Sequence, residues 1–494
     1  MKIHRLFLFL IGAALFLSSC EEGGGESTSE GGSAADTTVE ESGPEGIPFD
    51  PDAIYLERMY ATSTGDHPAA NLLDGDPATD WNAMPGAGQD EGIMLYFEAP
   101  TFVQKVAFKG AQGGSALEEL GLYVNGSEVG TTAPDGEIAV EADVQSLFVR
   151  ITAVSGAKTD SYSDEEGYEE HHVEQFPENL ETRLAEIELY GADGKLVKAR
   201  PLHLEAGSIS PSSVLTPPEA YHADFLFDSR LEFGWAEGKE DEGIGESITF
   251  DFDREVKVTR LKIWNGYQRS DDHFQKNARV KDFTFGLAGG TEKAYQLGDT
   301  QSPNVIDLDD ALEGKSFTLN IKSAYPGSKY KDLLMSELRF FDGQQWFGIE
   351  SGGEAARKAA LKEKVAGTPI EKLLDRNLTY TEMDHINDTE FTIRLILRSN
   401  GSYVLYKDFR GSRDNTIKEL REVADGNWEI QKVGSGFVRV KVFGKLHRIM
   451  DKDLVYKAKS KRLGKRIYSE ILTIYPDYIE GQNMIETMRL KVSK

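Results

Sequence analysis

The chain has 494 residues, with 55 lysine and arginine side chains against 83 aspartate and glutamate side chains, so its formal net charge is −28 at pH 7. A chain this acidic excludes nucleic acid as the main partner, because phosphate binding needs a basic surface. At roughly 150 residues per domain, the length predicts about three domains. The 49 glycines and the aromatic content of 10% favour β structure with many turns.

The first residues have the composition of an export signal. Lys2 and Arg5 form a short basic region, and residues 6–17 follow as an apolar run. Such a run is too short to cross a bilayer, but it suits the hydrophobic part of a signal peptide. Residues 1–19 are therefore predicted to be a signal peptide that is removed from the mature protein.

Cys20 is the only cysteine, so an internal disulfide is impossible. The sequence Leu-Ser-Ser-Cys that ends at Cys20 resembles the lipobox of bacterial lipoproteins. The resemblance implies a lipid anchor on this cysteine, and Glu21 after it implies the outer membrane or the cell surface. An ordinary secretory signal with a chance cysteine is the alternative. Residues 20–50 contain few large apolar side chains, so they are predicted to be a disordered acidic tether.

A first β module is predicted for residues 51–200. Alternating apolar residues mark strands at 91–97 and 103–108, and the acidic loop Asn-Leu-Leu-Asp-Gly-Asp-Pro-Ala-Thr-Asp-Trp precedes them at 71–81. These segments resemble a discoidin-type module, which implies a jelly-roll β-sandwich with a structural calcium ion. The implied oxygen ligands are Asp74, Asp76, Thr79 and Glu186. The alternative is an Asx turn whose carboxylates are solvated.

Residues 203–348 repeat the pattern of the first module. The segment 228–235 corresponds to 74–81, and 335–338 corresponds to 184–187. An all-β chain with two tandem discoidin-like sandwiches is therefore predicted. Trp81 and Trp235 correspond to each other, and both are predicted to pack inside their sandwiches. The second copy has Asp-Ser-Arg in place of Asp-Gly-Asp, which argues against a metal ion there.

The first copy also carries an acidic insertion that the second copy lacks. It extends to residue 179 and contains the adjacent residues His171 and His172. Neighbouring side chains in an extended chain point to opposite sides, which argues against a metal ion shared by these histidines. The insertion is predicted to be a disordered loop.

The second copy carries several short motifs in one order. Gly-Ile-Gly-Glu precedes a strand at 243–246, Trp-Asn-Gly-Tyr ends another at 264–267, and Tyr-Pro-Gly-Ser-Lys-Tyr-Lys-Asp at 325–332 is followed by Glu337. Together these motifs resemble the NADase-type glycan-binding domain, a discoidin-like relative of the F5/8 type C modules. The resemblance covers roughly residues 205–345 and implies sugar binding without catalysis.

Sugar recognition in a shallow site needs an aromatic face for the sugar ring and polar groups for its hydroxyls. The loops of the second copy supply this mixture. The predicted glycan-binding residues are Trp264, Asn265, Tyr267, Asn277, Arg279, Tyr325, Lys329 and Tyr330. For Trp264 the alternative is a core position, since large aromatic side chains at strand ends are often buried. The first copy has Lys-Gly-Ala-Gln at 109–112 in place of the Trp-Asn-Gly-Tyr motif, which argues against sugar binding there.

Residues 349–375 are predicted to be a helical linker, and residues 376–494 return to the pattern of short strands. This last part resembles a small lipocalin-like barrel through Arg-Ser-Asn-Gly-Ser-Tyr at 398–403 and Asp-Gly-Asn-Trp at 425–428. The pair Asn-Gly in the first of these motifs also predicts a hairpin. From residue 351 onward, 28 basic and 20 acidic side chains give this part a charge of +8.

The sequence contains no phosphate-binding loop, no Gly-x-Ser-x-Gly motif and no His-Glu-x-x-His motif, so no enzyme is predicted. The prediction is a lipid-anchored surface protein that binds glycans without catalysis. One alternative is an adhesion or structural lipoprotein whose sandwiches contact protein. The other is a hydrolase with its site in the C-terminal part.

Overall fold

The computed structural model describes most of the chain after the tether. The described residues are 49–83, 91–156, 158–163, 169–175, 181–216, 221–374, 378–384, 389–399, 401–413, 416–450, 467–475 and 479–481. Cys20, the predicted signal peptide, most of the tether, Asn400 and residues 482–494 lie outside them. Within the described ranges, no helix has the length and apolar character needed to span a membrane.

The strands of the N-terminal part belong to two sheets. In chain order they are β1 (Ile54–Ala61), β2 (Trp81–Asn82), β3 (Gly92–Gly110), β4 (Leu117–Val124), β5 (Ser127–Thr132), β6 (Glu137–Val154), β7 (Lys158–Ser163), β8 (Glu169–Gln175), β9 (Arg183–Tyr190), β10 (Leu196–Val197) and β11 (Ala199–Arg200). All except β7 and β8 form the first sheet, in the order β10-β9-β3-β6-β4-β5, with β1 pairing β3 and β11, and β2 pairing β9.

The long strand β3 folds the first sheet over its core. The first half of β3 pairs with β1 and the second half pairs with β9, and a register shift between Tyr96 and Thr101 separates the two halves along β6. Such irregularities let one strand serve both layers of a sandwich. Trp81 is fully buried between the layers, and its indole nitrogen donates to the Ser63 carbonyl at 3.1 Å, as predicted for a core tryptophan.

The second sheet repeats this arrangement. Its strands are β12 (His203–Pro211), β13 (Trp235–Ala236), β14 (Ser247–Asn265), β15 (Ala278–Leu287), β16 (Glu292–Gln296), β17 (Asn304–Tyr325), β18 (Leu333–Phe341) and β19 (Trp346–Glu350). Their order is β13-β18-β19-β12-β14-β17-β15-β16. The short helix α1 (Asp271–Lys276) connects β14 to β15.

The core of the second sandwich is rich in phenylalanine. Phe252, Phe340 and Phe347 lie in mutual contact, with ring centroids 5.6–5.8 Å apart. Trp235 is fully buried in the same core, and its indole nitrogen donates to the Ser213 carbonyl at 3.0 Å. The alternation of apolar residues along β14 and β17 therefore produces the predicted sandwich.

The helix α2 (Gly353–Val365) leads from the second sandwich to the C-terminal sheet, where a linker helix was predicted. The remaining strands are β20 (Leu378–Asp384), β21 (Thr389–Leu397), β22 (Ser402–Arg413), β23 (Thr416–Gly434), β24 (Phe437–Met450), β25 (Ile467–Ile474) and β26 (Ile479–Gly481). The described pairings run from β26 through each neighbour to β20. The two predicted motifs of this part lie side by side, since the backbone nitrogen of Trp428 donates to the Gly401 carbonyl at 2.8 Å.

The acidic insertion of the first sandwich extends the C-terminal sheet. Strands β7 and β8 form a hairpin, and β8 pairs with β20 through Glu170 opposite Met383. The prediction of a disordered loop is therefore wrong for the residues of these two strands. The prediction failed because it used local composition alone. Strand β20, which is distant in sequence, has an unpaired edge with which β8 pairs. His171 and His172 lie on β8, in extended backbone as expected.

Residues 47–494 form one compact unit, and polar contacts join its three sheets. Lys262 of the second sandwich pairs with Glu57 of the first at 2.7 Å. Arg398 of the C-terminal sheet forms a fully buried ion pair with Glu91 of the first sandwich. A buried pair of this kind makes separation of the two modules costly, because separation would leave each charge without its partner.

Candidate functional site

The loop end of the second sandwich holds the residues predicted to bind sugar. The loop at 326–332 lies against α1, with the backbone nitrogens of Ser328 and Tyr330 donating to the carbonyls of Gln275 and Lys276 at 2.9 and 2.8 Å. Gly327 permits this contact, since a Cβ atom there would lie only 2.4 Å from the Lys276 carbonyl oxygen. The loop is therefore held in place by backbone contacts.

Five of the eight predicted residues are buried at this end. Trp264 is 2% exposed and Asn265 is fully buried. The Asn265 amide donates to the Val280 carbonyl at 2.7 Å and accepts from the Val280 nitrogen at 3.0 Å. This side chain therefore makes the two hydrogen bonds that the backbone of a neighbouring strand would otherwise make with Val280. Asn277 donates to the His273 carbonyl at 2.8 Å and ends α1. These side chains shape the loops and lie out of reach of a surface ligand.

Tyr267 and Arg279 are also committed to internal contacts. Tyr267 is 5% exposed, and burial raises its pKa. Arg279 donates to both carboxylate oxygens of Asp299, at 2.6 and 2.9 Å, and to the carbonyls of Phe274 and Asn277 at 2.9 and 2.8 Å. A guanidinium with these four contacts organises the loops around it.

The remaining three predicted residues lie at the surface or close to it. Tyr330 is 40% exposed, and the ammonium of the exposed residue Lys329 lies 4.6 Å from its ring centroid. Tyr325 is half-buried, and its hydroxyl donates to the Leu297 carbonyl at 2.9 Å. An aromatic ring beside a cation, on a loop held by its backbone, can contact the face and the hydroxyls of a sugar.

The sequence prediction did not include Tyr221 and Asp332. Burial raises the pKa of Tyr221, with Asp332 and Tyr330 close enough to contribute. Burial likewise raises the pKa of Asp332. Tyr221 precedes a short 3-10 helix at Ala223–Leu226 and stands outside every recognised motif, so no local signal marks it.

The acidic loop of the first sandwich brings most of its predicted calcium ligands together. The hydroxyl of Thr79 donates to the Asp74 carboxylate at 2.7 Å and to the Asp76 carbonyl at 2.9 Å. The Asp76 carboxylate instead accepts from the Ala78 nitrogen at 2.9 Å. Asp76 therefore offers its carbonyl on the side of Asp74 and Thr79.

Glu186 completes this arrangement from β9. Its side chain is 5% exposed, and one carboxylate oxygen has no hydrogen-bond partner within the described residues. Burial, together with the neighbouring carboxylate of Asp74, raises the pKa of Glu186 to about 7. Two carboxylates, a hydroxyl and a carbonyl are ligands that calcium prefers. Within the described ranges, however, no group of three or more His, Cys, Asp or Glu side chains has the geometry of a metal site.

The corresponding position in the second sandwich holds arginine. Arg339 forms a buried ion pair with Glu337, which corresponds to Glu186, and donates to the Ser229 hydroxyl at 3.1 Å and the Leu226 carbonyl at 3.2 Å. Burial and the neighbouring Glu337 carboxylate raise the pKa of Asp228, which corresponds to Asp74. The guanidinium of Arg339 thus lies beside the carboxyl groups that correspond to the predicted calcium ligands.

Comparison with protein families identifies the second sandwich. Residues 205–341 match the family described as the NAD glycohydrolase translocation F5/8 type C domain. The match confirms the predicted resemblance of this sandwich, with nearly the same boundaries. No functionally curated protein matches the chain.

Several solved structures resemble parts of the chain at low identity. The arabinofuranosyltransferase AftD from Mycobacteria is 9% identical over 78% of this chain, with a TM-score of 0.26, and the chain spans only 37% of its length. The two family 32 carbohydrate-binding modules of ZmpB from Clostridium perfringens are 11% identical over 58% of this chain and 92% of theirs, with a TM-score of 0.22. A family 32 module from NanJ of the same organism, solved with galactose, is 12% identical over 27% of this chain and 92% of its own, with a TM-score of 0.22.

Proposed function

We propose that the chain is a lipid-anchored surface protein that binds glycans, without catalysis, at the loop end of its second sandwich. The family match over residues 205–341 supports a binding module of the F5/8 type C kind. The observation that carries the proposal is the pair of Lys329 and Tyr330, which is exposed on a loop held against α1. The buried residues Asn265 and Arg279 hold the surrounding backbone in place through hydrogen bonds, and we call them the frame of this site.

The loop geometry favours binding because the loop is already ordered, so little conformational entropy is lost when a ligand binds. Backbone contacts to Gln275 and Lys276 already hold the loop that carries Tyr330. A preorganised loop retains affinity that would otherwise be lost in ordering it. Ring stacking on Tyr330 would supply apolar contact, and the Lys329 ammonium would donate to sugar hydroxyls.

The test is a glycan array on the chain from residue 47 onward, followed by titration of each sugar that binds. Galactose and N-acetylgalactosamine are suitable first sugars. Tyr330→Ala should weaken binding by about 1–3 kcal/mol, the range for removing a large contact side chain, and Lys329→Ala should weaken it less. Lys109→Ala in the first sandwich is the matched control and should leave binding unchanged. Sugar binding that is unaffected by Tyr330→Ala would contradict the proposed site.

Tyr267→Ala and Arg279→Ala test the frame instead of the contact surface. Because both side chains are buried, their removal should lower stability as well as affinity. Circular dichroism and thermal unfolding separate these effects. If either variant loses sugar affinity with unchanged stability, that residue belongs to the contact surface.

We also propose that Cys20 carries the lipid. The lipobox-like sequence before the only cysteine supports this assignment. Several acyl chains on one residue would anchor the protein firmly, since each buried methylene contributes about 0.8 kcal/mol. Cys20→Ala should move the protein from the membrane fraction to the soluble fraction of the cells that express it. Retention at the wild-type level would contradict the anchor.

The proposal includes a structural calcium ion in the first sandwich. Asp74, Asp76, Thr79 and Glu186 would hold it through the oxygens described above, and the unpartnered oxygen of Glu186 supports this arrangement. Bound there, the ion would neutralise the loop carboxylates and join the loop to β9. It would have no catalytic part.

A further inference from the structure

A cavity of about 800 Å³ lies where the three sheets meet. Its walls come from the turn after β1, the segment between β12 and β13, the start of α2, and the C-terminal residues Ser402 and Asn427. Small-molecule sites in proteins commonly measure about 300–1,000 Å³ and often lie between domains. The size and place of this cavity therefore suit a small ligand, at a position separate from Tyr330.

One wall of the cavity is aromatic. The rings of His222 and Phe225 stack with centroids 3.7 Å apart, and Phe225 stacks on Phe233 at 4.9 Å. The guanidinium of Arg230 lies 4.5 Å from the Phe233 ring and 5.2 Å from the Tyr60 ring. Phe225 lies between His222 and Phe233 in one stacked column, so the rings present their edges to the cavity, beside the planar cation of Arg230. Ring edges and this cation can contact a cyclic ligand.

The ionisable groups of the cavity are mainly carboxyl groups. Its acidic lining residues are Asp66, Asp224, Asp228 and Glu350, whereas Arg230 and His222 are its basic lining residues. Arg230 is already paired, donating to Glu232 at 2.6 and 2.8 Å. An excess of carboxyl groups disfavours an anionic ligand, and carboxylates accept hydrogen bonds well from hydroxyl groups.

The walls are held in place before any ligand arrives. The Ser351 hydroxyl donates to the Asp224 carboxylate at 2.6 Å, which fixes the start of α2 against the second sandwich. Arg269 donates to Asn427 at 3.3 Å, and the buried pair of Arg398 with Glu91 joins the C-terminal sheet to the first sandwich. Contacts from three sides keep the cavity open as a preformed site.

We propose that this cavity is a second binding site, for a neutral saccharide of one to a few rings. The edges of the stacked rings would contact the C–H groups of a sugar, and the carboxyl groups of Asp66 and Glu350 would accept hydrogen bonds from its hydroxyls. Both side chains are exposed, so they are accessible to such a ligand. The site is distinct from the loop end of the second sandwich and does not depend on the function proposed there.

The experiment uses the chain from residue 47 onward with Tyr330→Ala as the background, which weakens the loop site. The probes are galactose, N-acetylgalactosamine, lactose, maltotriose and chitotriose as neutral sugars, with glucosamine and sialyllactose as charged ones. Ligand-observed NMR and calorimetry measure binding. At least one neutral probe should bind in this background, and the charged probes should bind more weakly.

Blocking variants locate the site. Ala355 lines the cavity and is exposed, so Ala355→Trp adds bulk without removing a packed side chain. It should weaken the neutral probe about tenfold or more. Ala359→Trp, one turn farther along α2 at an exposed position, is the matched control and should change binding by less than about twofold. Asp66→Asn should weaken binding moderately, because an amide oxygen is a weaker acceptor than a carboxylate.

Several results would overturn the proposal. One is that no neutral probe binds in the Tyr330→Ala background, and another is that Ala355→Trp and Ala359→Trp have equal effects. Preference for glucosamine would assign the cavity to a cationic ligand, and preference for sialyllactose would assign it to an anionic one. The loop-site proposal is judged separately, from the loss of sugar affinity that Tyr330→Ala causes.

Discussion

The loop of the first sandwich that ends at Trp81 and the loop of the second that ends at Trp235 have the same place in the fold but differ in charge. Gly75 of the first has φ 79°, and Ser229 of the second has φ 64°, so both loops turn through the left-handed region. The first loop combines Asp74 and Asp76 with Glu186 and Glu188 from β9. The second combines Asp228 and Arg230 with Glu337 and Arg339 from β18. Two acidic positions have thus become arginines.

The two sandwiches differ in the groups that surround this buried carboxylate. In the first sandwich Glu186 has no cationic side chain among the groups that shift its pKa, and that pKa is raised to about 7. In the second sandwich the Arg339 guanidinium is paired with Glu337 inside the protein. The calcium ion proposed for the first sandwich could be removed by a chelator, whereas Arg339 is part of the chain. The two sandwiches should therefore differ in their response to calcium, pH and mutation.

The largest expected effect is on the second sandwich. Arg339→Met leaves Glu337 buried without its partner, which should lower the free energy of unfolding by about 3–5 kcal/mol. Hydrogen exchange of the β18 amides measures the loss locally. The double variant with Glu337→Leu removes both charges, and it should recover most of the stability. If the double variant is as unstable as the single one, the arginine acts through packing and not through charge.

Calcium should act on the first sandwich alone. At a hundredfold excess over its dissociation constant, an ion bound only to the folded state stabilises it by about 2.7 kcal/mol. Hydrogen exchange should slow in β9 and remain unchanged in β18. Equal exchange of β9 in calcium and in chelator, with no calcium found by elemental analysis, would rule out the ion.

Glu186→Gln sharpens the calcium prediction. Because the folded-state pKa of Glu186 is raised, its contribution to stability is present below pH 4.5 and is lost as the pH rises through about 7. In chelator at pH 8, Glu186→Gln should therefore stabilise the first sandwich, by up to about 3 kcal/mol. In calcium the same variant should lack the stabilisation that the ion gives. Destabilisation by Glu186→Gln in chelator would show that the carboxylate already has a favourable partner.

The smallest effect concerns Glu205, whose pKa is shifted in the direction opposite to that of Glu186. Burial opposes the change, but hydrogen bonds from His203 and Arg254 lower the pKa of Glu205 to about 2. Its contribution is present above pH 4.5 and is lost as the pH falls through about 2. Glu205→Gln should lower the free energy of unfolding by about 1–3 kcal/mol at neutral pH. The range extends down to the lower value because Arg254 is exposed and solvent screens its ion pair with Glu205.

Acid titration of the unfolding free energy measures the effect of Glu205→Gln. The difference from the native chain should shrink as the pH falls from 4.5 to 2. Glu313→Gln is the matched control, because the Glu313 carboxylate is 71% exposed and lies 3.9 Å from Lys257. A constant difference between Glu205→Gln and the native chain across this pH range would contradict the assignment.

Local patterns predicted the fold well, but they did not predict which of the proposed site residues are buried. The period-two alternation along β14 and β17 marks strands wherever it occurs, because one face of a sheet must be buried. The Trp-Asn-Gly-Tyr motif marks the loop end of the second sandwich correctly. Motif reading could not show that Asn265 serves the backbone of Val280, since a ligand and a neighbouring strand use the same amide chemistry.

Residue patterns in the sequence were enough to predict the all-β class, the tandem repeat, the core positions of Trp81 and Trp235, and the family resemblance of the second sandwich. Each of these depends on residues close together in the chain or on a repeated order of motifs. The folded structure was needed to show that Arg339 lies beside Glu337 and Ser229, that β8 extends the C-terminal sheet, and that residues of three modules line a shared cavity. These features need segments distant in sequence to meet, and their burial and charge exist only once the chain has folded.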